Sequence, residues 1–455
     1  MTLQANNALQ AFQWAPQPDA WNFLRNLAED FLSSCPDAKN LAERMADQTG
    51  TRFVDWIDHV RLPRRDARAR QLSDVGYQAE NNGPGYTVFV NDNGMFPPVL
   101  VWDGTFEIAI KVEFMADFLA ANALQRDVSG APLFQLRTCR VFTGRDCAMS
   151  AVERHGTRAF EATELTSKNP IKMLEHLEKL RAHKRDFDSD DDGFDATNKL
   201  IDAAIADLGR DLTCDLFFAA EREYWMRRNH AARVQKARQD RLGLGWANHD
   251  HHTYRSSRRN FKLLVATWEK LGFHCRERFY AGREAGWGAQ VMEQPVTGII
   301  TFNDVDLTPD ELMGDFSHDG LQERNTLGTV GLWCGLHGDS FLQAGMHHLE
   351  AMFDFDALRK QLEEDGVKTM KPFTNFTYLR QAFTEGERWP VSEKRIQRLL
   401  DERLITTKQA DQFREQGAIG SHLENLERND GFKGFNQTGV SEIIAATDPR
   451  KNVRV

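Results

Sequence analysis

Two segments of this 455-residue chain follow one pattern, and a chain that repeats a strand–helix–strand unit has few ways to bury both copies. The first segment runs Asn248-His249-Asp250-His251-His252-Thr253-Tyr254-Arg255. An amphipathic stretch from Asn260 to Leu271 follows, then Gly272-Phe273 and a strand-like run to Tyr280. The second opens His347-His348-Leu349-Glu350 and continues through Asp356-Ala357-Leu358-Arg359-Lys360-Gln361-Leu362 to Gly366-Val367. The helical spacing inside each segment and the glycine at its end give both the same strand, helix, turn, strand reading. A unit that starts each copy with imidazoles can put two nitrogen ligands on one metal, which makes the chain a metalloenzyme candidate.

Composition narrows the class. Hydrophobic residues make up 41% and charged residues 27%, as in ordinary globular proteins. The net charge of −10 supplies no positive field to attract nucleic acid or an anionic membrane, so neither is an expected partner. Cys35, Cys139, Cys147, Cys214, Cys275 and Cys334 are scattered without CxxC spacing, which reads as reduced thiols and not as a disulfide framework. The N-terminal residues lack a secretory pattern, and no apolar run is long enough to span a bilayer. The expectation is a soluble cytoplasmic protein, with the sequons at Asn375 and Asn436 fortuitous; its oligomeric state is not readable.

The chain divides by pattern into three regions. Residues 1–160 read as an N-terminal α+β domain: helical spacing from Asp19 to Ile57, then short apolar strands such as Tyr86–Val90 and Val99–Trp102. Residues 161–243 read as a helical connector with an acidic patch. Residues 244–455 hold the repeat, with copies at about 246–310 and 329–450 and a helical insertion near 389–416 in the second. The patch Asp188-Ser189-Asp190-Asp191-Asp192-Gly193 matches the opening of a calcium loop, but Lys199 stands where a bidentate glutamate is needed, so a solvated acidic linker is expected. The basic run Arg227, Arg228, Arg233, Lys236, Arg238, Arg241 reads as a paired surface. His59, in Trp56-Ile57-Asp58-His59-Val60, can begin a further strand unit, although a lone histidine is more often a satisfied core residue.

Strand alternation sorts the histidines. His249, His251, Thr253 and Arg255 share one face; Asp250, His252 and Tyr254 share the other. The face with His251 and Arg255 could hold a metal and, further along, an anionic group of its ligand, since guanidinium matches carboxylate bidentately. In the second copy His348 shares a face with Glu350, and repeat position favours His348 as the second ligand. His252 and His347 are the alternates. A late carboxylate should complete the set. Glu442, in the apolar run Gly439–Ala446, is preferred because an unpaired charge there would be costly. The rival stretch Ser421–Arg428, with Glu424 and Glu427, is largely polar and reads more easily as a solvated helix or turn.

Paired strand–helix–strand units with histidines on the first strands and a late glutamate resemble the vicinal-oxygen-chelate superfamily. Within it, residues 244–450 resemble, patchily, the 2-oxoadipate dioxygenase/decarboxylase family. The carriers of that likeness are the four-residue spacing of His251 and Arg255, the runs His347-His348-Leu349 and Asp354-Phe355-Asp356-Ala357, the stretch Leu379-Arg380-Gln381, and Gly420-Ser421-His422. Ser441-Glu442-Ile443 matches the family's glutamate context only if a spacer is allowed. The resemblance implies paired βαβββ modules forming a metal-binding half-barrel within an α+β chain. It also implies iron(II) held by two histidines and a carboxylate, Arg255 on a substrate carboxylate, and Arg380 and Gln381 as further catalytic residues. The implied reaction is oxygen-dependent decarboxylation of a 2-oxo acid to a 2-hydroxy acid, with the 2-oxo acid and dioxygen as small-molecule partners. A non-redox enzyme of the same scaffold using zinc, nickel or manganese is the alternative, and a non-catalytic metal-binding protein is the third reading.

Overall fold

The computed structural model describes residues 14–162, 169–436 and 448–450. Its first two helices, α1 (Pro18–Ser34) and α2 (Pro36–Thr49), each start with proline, whose missing N–H costs nothing in a first turn. Phe23, Leu24, Leu27 and Phe31 of α1 and Leu41 and Met45 of α2 form one buried stripe. That stripe lies on Ile57, Val60, Leu62, Ile108 and Ile110 of a seven-stranded sheet. Helix α2 stops at Gly50, whose φ is +63° and where a Cβ would come within 2.8 Å of the Leu358 backbone, so glycine is required there.

The seven strands are β1 (Ile57–Pro63), β2 (Gln78–Gly83), β3 (Tyr86–Val90), β4 (Val99–Trp102), β5 (Phe106–Lys111), β6 (Leu136–Thr143) and β7 (Cys147–Arg154). Their order is β2-β3-β4-β1-β5-β7-β6, with β1 parallel to β4, β5 parallel to β7, and β1 antiparallel to β5. Helix α3 (Met115–Ala121) lies between β5 and β6, and among the described residues a single Ser129–Thr138 bridge extends the sheet beyond β6.

Four helices lead to the second sheet: α4 (Pro170–Ala182), α5 (Asp190–Leu208), α6 (Arg210–Arg227) and α7 (His230–Asp240). The acidic patch is not the expected linker. Asp190, Asp191 and Asp192 form the first turn of α5, where carboxylates meet the positive end of the helix. Asp190 and Asp191 also accept hydrogen bonds from Asn260 and Arg259. The basic run is paired: Lys236 bridges Glu113 and Asp240, and Arg228 donates to the Gln343 carbonyl.

The second sheet contains β8 (His249–Arg255), β9 (His274–Tyr280), β10 (Trp287–Glu293), β11 (Ile300–Asp306), β12 (His348–Met352), β13 (Thr374–Phe376), β14 (Leu379–Phe383), β15 (Glu387–Trp389) and β16 (Ala418–Arg428). The order is β13-β14-β16-β12-β8-β11-β10-β9, with β15 on β16. Each half is one copy of the repeat: β8, helix α8 (Phe261–Lys270), β9, β10, β11; and β12, helix α10 (Phe355–Glu364), β13, β14, β16. Helix α9 (Thr329–His337) links them, and α11 (Glu393–Asp401) and α12 (Thr407–Gln416) lie between β15 and β16. First and last strands of each copy run parallel, and β8 and β12 meet antiparallel at the centre. Phe279 of β9 at one edge and Thr374 of β13 at the other line the same cleft, so the sheet curls into a half-barrel. The fold is thus α+β with paired βαβββ modules. Its outer face packs Tyr254 and Trp268 against Phe217 and Phe218 of α6, each fully buried large side chain contributing roughly 2–3 kcal/mol. Among the described residues no helix is long and apolar enough to cross a membrane.

The N-terminal sheet repeats this strand order without counterparts of β13 and β15. His155, just beyond β7, ties it to α6. Burial alone would lower its pKa, but hydrogen bonds to Asp215 (2.9 Å) and Glu153 (3.1 Å) prevail and raise it to about 10. The protonated form is therefore the stabilised one. Its contribution should be complete below the ordinary value of 6.5 and fall away as pH climbs through about 10. Urea midpoints across pH 6–10 should decline more steeply for the wild-type protein than for His155→Ala; parallel curves would contradict this.

Candidate metal centre

The cleft lies on the concave face of the second sheet and holds a cavity of about 70 Å³. Alternation along β8 turns His251, Thr253 and Arg255 into it, β12 adds His348 and Glu350, β14 adds Gln381 and Phe383, and β16 adds Glu424. His251 and His348 come from the two copies and meet because β8 and β12 are neighbours, with Glu350 opposite His251 and His348 opposite Thr253. Glu350 and Glu424 are likewise neighbours across β12 and β16.

The polar atoms converge tightly. Glu350 Oε1 lies 2.8 Å from His251 Nε2 and 2.6 Å from His348 Nε2, and accepts a hydrogen bond from Thr253 Oγ1 at 2.9 Å. Glu424 Oε2 lies 3.5 Å from His348 Nε2, and Gln381 Nε2 donates to Glu424 Oε1 at 2.8 Å. His348, Glu350 and Glu424 present ligand atoms within 4.8 Å of one another. Behind His251, Asp250 Oδ2 is 2.7 Å from Nδ1, and Arg428 grips Asp250 through two bonds of 2.8 and 3.0 Å. Burial would raise Asp250's pKa, but Arg428 and His251 hold it far below the usual carboxylate range. This chain fixes the imidazole's orientation and directs Nε2 into the cleft.

The two glutamates divide in character. Burial raises both, but His251 and His348 outweigh it at Glu350 and pull its pKa down; at Glu424 burial and the Glu350 charge push it up. Among the described residues neither forms an ion pair with lysine or arginine. Arg255 is 3% exposed, lies 3.5 Å from Asp304, and has no hydrogen-bond partner at Nη1. Burial lifts Asp304 to about 7 despite that guanidinium. Phe279, Phe302, Phe383 and Phe435 wall the cleft.

The other sequence candidates fall as follows. His347 lines the cleft, its Nδ1 2.6 Å from His348 Nδ1. His252 faces away, packed on Phe218 and bonded to Arg222. Gln381 is in the cleft, but Arg380, its neighbour on the opposite face of β14, is paired with Asp356 and does not line the site. Glu427 also faces away and caps the N-terminus of α10 through the Phe355 N–H. Glu442 lies outside the described residues. Ser421–Arg428 is not a solvated helix but an almost wholly buried strand, because β12 and β14 flank it; Glu424 and Arg428 find hydrogen-bond partners inside the protein. Glu350 was not among the candidates, although sharing a face with His348 was a sufficient signal.

The N-terminal sheet carries the same scaffold with other contents. Asp58 Oδ2 is 2.7 Å from His59 Nδ1, and Arg154 grips Asp58 at 2.7 and 2.9 Å, the arrangement of Asp250, His251 and Arg428. The registers place Glu107 at the position of His348, Ala109 at that of Glu350 and Ser150 at that of Glu424. His59 Nε2 accepts from Arg61 at 3.1 Å, and Phe160 packs on the ring. The donor set of the second sheet is thus lacking here.

No protein-family model matches the sequence, and no curated protein matches it. Among solved structures, the chain is similar to a 4-hydroxymandelate synthase mutant from Streptomyces coelicolor (10% identity, TM-score 0.28, 87% of this chain and 98% of that one). It is also similar to a glyoxalase superfamily protein from Ralstonia eutropha JMP134 (12%, TM-score 0.32, 59% and 95%). A third is methylmalonyl-CoA epimerase from Mycobacterium tuberculosis (13%, TM-score 0.23, 40% and 88%).

Proposed function

We propose that the chain is a vicinal-oxygen-chelate metalloenzyme, an iron(II)-dependent dioxygenase and decarboxylase acting on a 2-oxo dicarboxylic acid of the 2-oxoadipate type. The observation that carries this reading is the pairing, in one cleft, of a two-histidine and carboxylate cluster with a buried arginine that keeps an unpartnered N–H. The donor set fits a divalent ion. Two imidazoles whose Nε2 atoms face the cleft stand beside two buried carboxylates that have no lysine or arginine partner among the described residues, a donor set of the kind that divalent transition metals take.

His251, His348 and Glu424 would hold the metal, and Gln381 would fix Glu424. When bound, iron(II) supplies the redox chemistry with dioxygen. The protein's own part is placement. Arg255 receives the distal carboxylate and so sets which carbon faces the metal, an orientation effect that can lower a barrier by several kcal/mol. Phe279, Phe302 and Phe383 would give the reacting carbons an apolar surrounding. The overall reaction balances without a further reductant: R–CH2–CO–COOH and O2 give R–CHOH–COOH and CO2, one oxygen atom entering the new carboxyl and one the hydroxyl. Incubating the iron-loaded enzyme with 2-oxo dicarboxylic acids should yield 2-hydroxy acid and CO2 in equal amounts, and unchanged substrate across the panel would contradict the reading.

A second reading has one observation in its favour. Glu350 sets a second carboxylate beside both histidines, and a cluster of two imidazoles and two carboxylates also suits zinc, nickel or manganese acting as a Lewis acid in a lyase or isomerase.

A further inference from the structure

We propose that Glu350 is a fourth protein ligand of this metal centre, an inference that rests on the metal-binding reading above and holds whichever of the two chemistries operates. Ligand atoms bound at about 2.1 Å and at right angles stand about 3 Å apart. The His348–Glu350, His251–Glu350 and His348–Glu424 separations of 2.6, 2.8 and 3.5 Å bracket that figure. Glu350 Oε1 is the atom nearest both imidazole Nε2 atoms, so an ion held by the two histidines is within reach of it.

Two further observations agree. Thr253 donates to Oε1 and holds the carboxylate against the histidines, and among the described residues no lysine or arginine pairs with it, so its fixed partners are the ligand imidazoles themselves. In the N-terminal sheet, where His348 and Glu424 are replaced by Glu107 and Ser150, the position of Glu350 is Ala109: that carboxylate is missing together with the other donors. Four protein donors on a six-coordinate ion leave two positions. A fourth protein donor would leave fewer positions for outside ligands than His251, His348 and Glu424 alone would. Glu350 thereby becomes the residue that sets how many outside ligands the centre accepts.

Cobalt(II) titration of the metal-free protein tests this directly, read by equilibrium binding and by visible absorption, whose intensity reports coordination number. Wild-type protein should bind about one cobalt per chain. Glu350→Ala should weaken binding by about 100-fold and change the visible bands, and the isosteric Glu350→Gln, which keeps the packing, should show the same spectral change. Equal affinity and identical bands in wild type and both variants, with His251→Ala binding no cobalt, would overturn the role of Glu350 and leave the metal centre standing. Failure of the wild type to bind cobalt would overturn both.

Discussion

His251→Ala and His348→Ala are each expected to reduce bound metal from about one ion per chain to near zero, while His59→Ala leaves the metal content unchanged. The contrast is the point of the experiment. His59 and His251 have the same Asp–His–Arg support, with matching distances, so the scaffold alone does not separate them. What differs is the company of Nε2. At His251 it faces Glu350 and the neighbouring His348 and Glu424; at His59 it is bonded to Arg61, a fixed cation that repels a metal. Elemental analysis after dialysis measures this. Activity should fall at least about 1,000-fold in both metal-depleted variants, because the chemistry is the ion's. Loss of metal in His59→Ala with unchanged folding would mean that the N-terminal sheet holds a site of its own.

Arg255→Ala should raise KM for 2-oxo dicarboxylic acids about 100-fold and leave 2-oxo monocarboxylic acids of similar length nearly unaffected. A buried, hydrogen-bonded charge pair typically loses 2–5 kcal/mol when one partner is removed, and about 3 kcal/mol corresponds to that factor. The variant also strands Asp304, whose carboxyl already sits at about 7 beside the guanidinium, so the double variant Arg255→Ala/Asp304→Asn separates lost binding from lost stability. Steady-state kinetics on the two substrate classes checks it. An equal change for both classes would show that Arg255 shapes the cleft without reading the distal carboxylate.

The legible part of the site was the part written in local periodicity. Alternation along seven residues placed His249, His251, Thr253 and Arg255 on one face; the cleft contains the last three, whereas a register shift at the start of β8 leaves His249 packed on His252 instead. Repeat position brought His348 forward, and β8 and β12 do lie side by side. Glu424 was underrated for a physical reason. A strand that is buried on both faces between polar partners has no apolar alternation to betray it, and Ser421–Arg428 looks hydrophilic although Glu424 and Arg428 find their partners inside the protein. Glu350 is legible through its shared face with His348, although the pattern of paired units points to a carboxylate on a later strand. The N-terminal copy was least legible: Asp58-His59 is a two-residue trace, its arginine partner lies 96 residues away, and the ligand positions have been replaced.

The helical region offers the same lesson. Three consecutive aspartates with a glycine suggested a linker or an ion loop, yet they form the first turn of α5 because carboxylates are favourable at a helix N-terminus. Composition distinguished charged from apolar stretches; it did not say that the charges were hydrogen-bonded to Asn260 and Arg259 from the other half of the chain.

The most direct test of an oxygen-dependent iron centre is anaerobic purification with metal quantitation, followed by oxygen uptake on addition of a 2-oxo dicarboxylic acid. About one iron per chain, with one O2 consumed for each CO2 released and no turnover under argon, is the expected result. Full turnover without oxygen, supported by zinc, nickel or manganese, would contradict it and leave the Lewis-acid reading of the same four residues in its place.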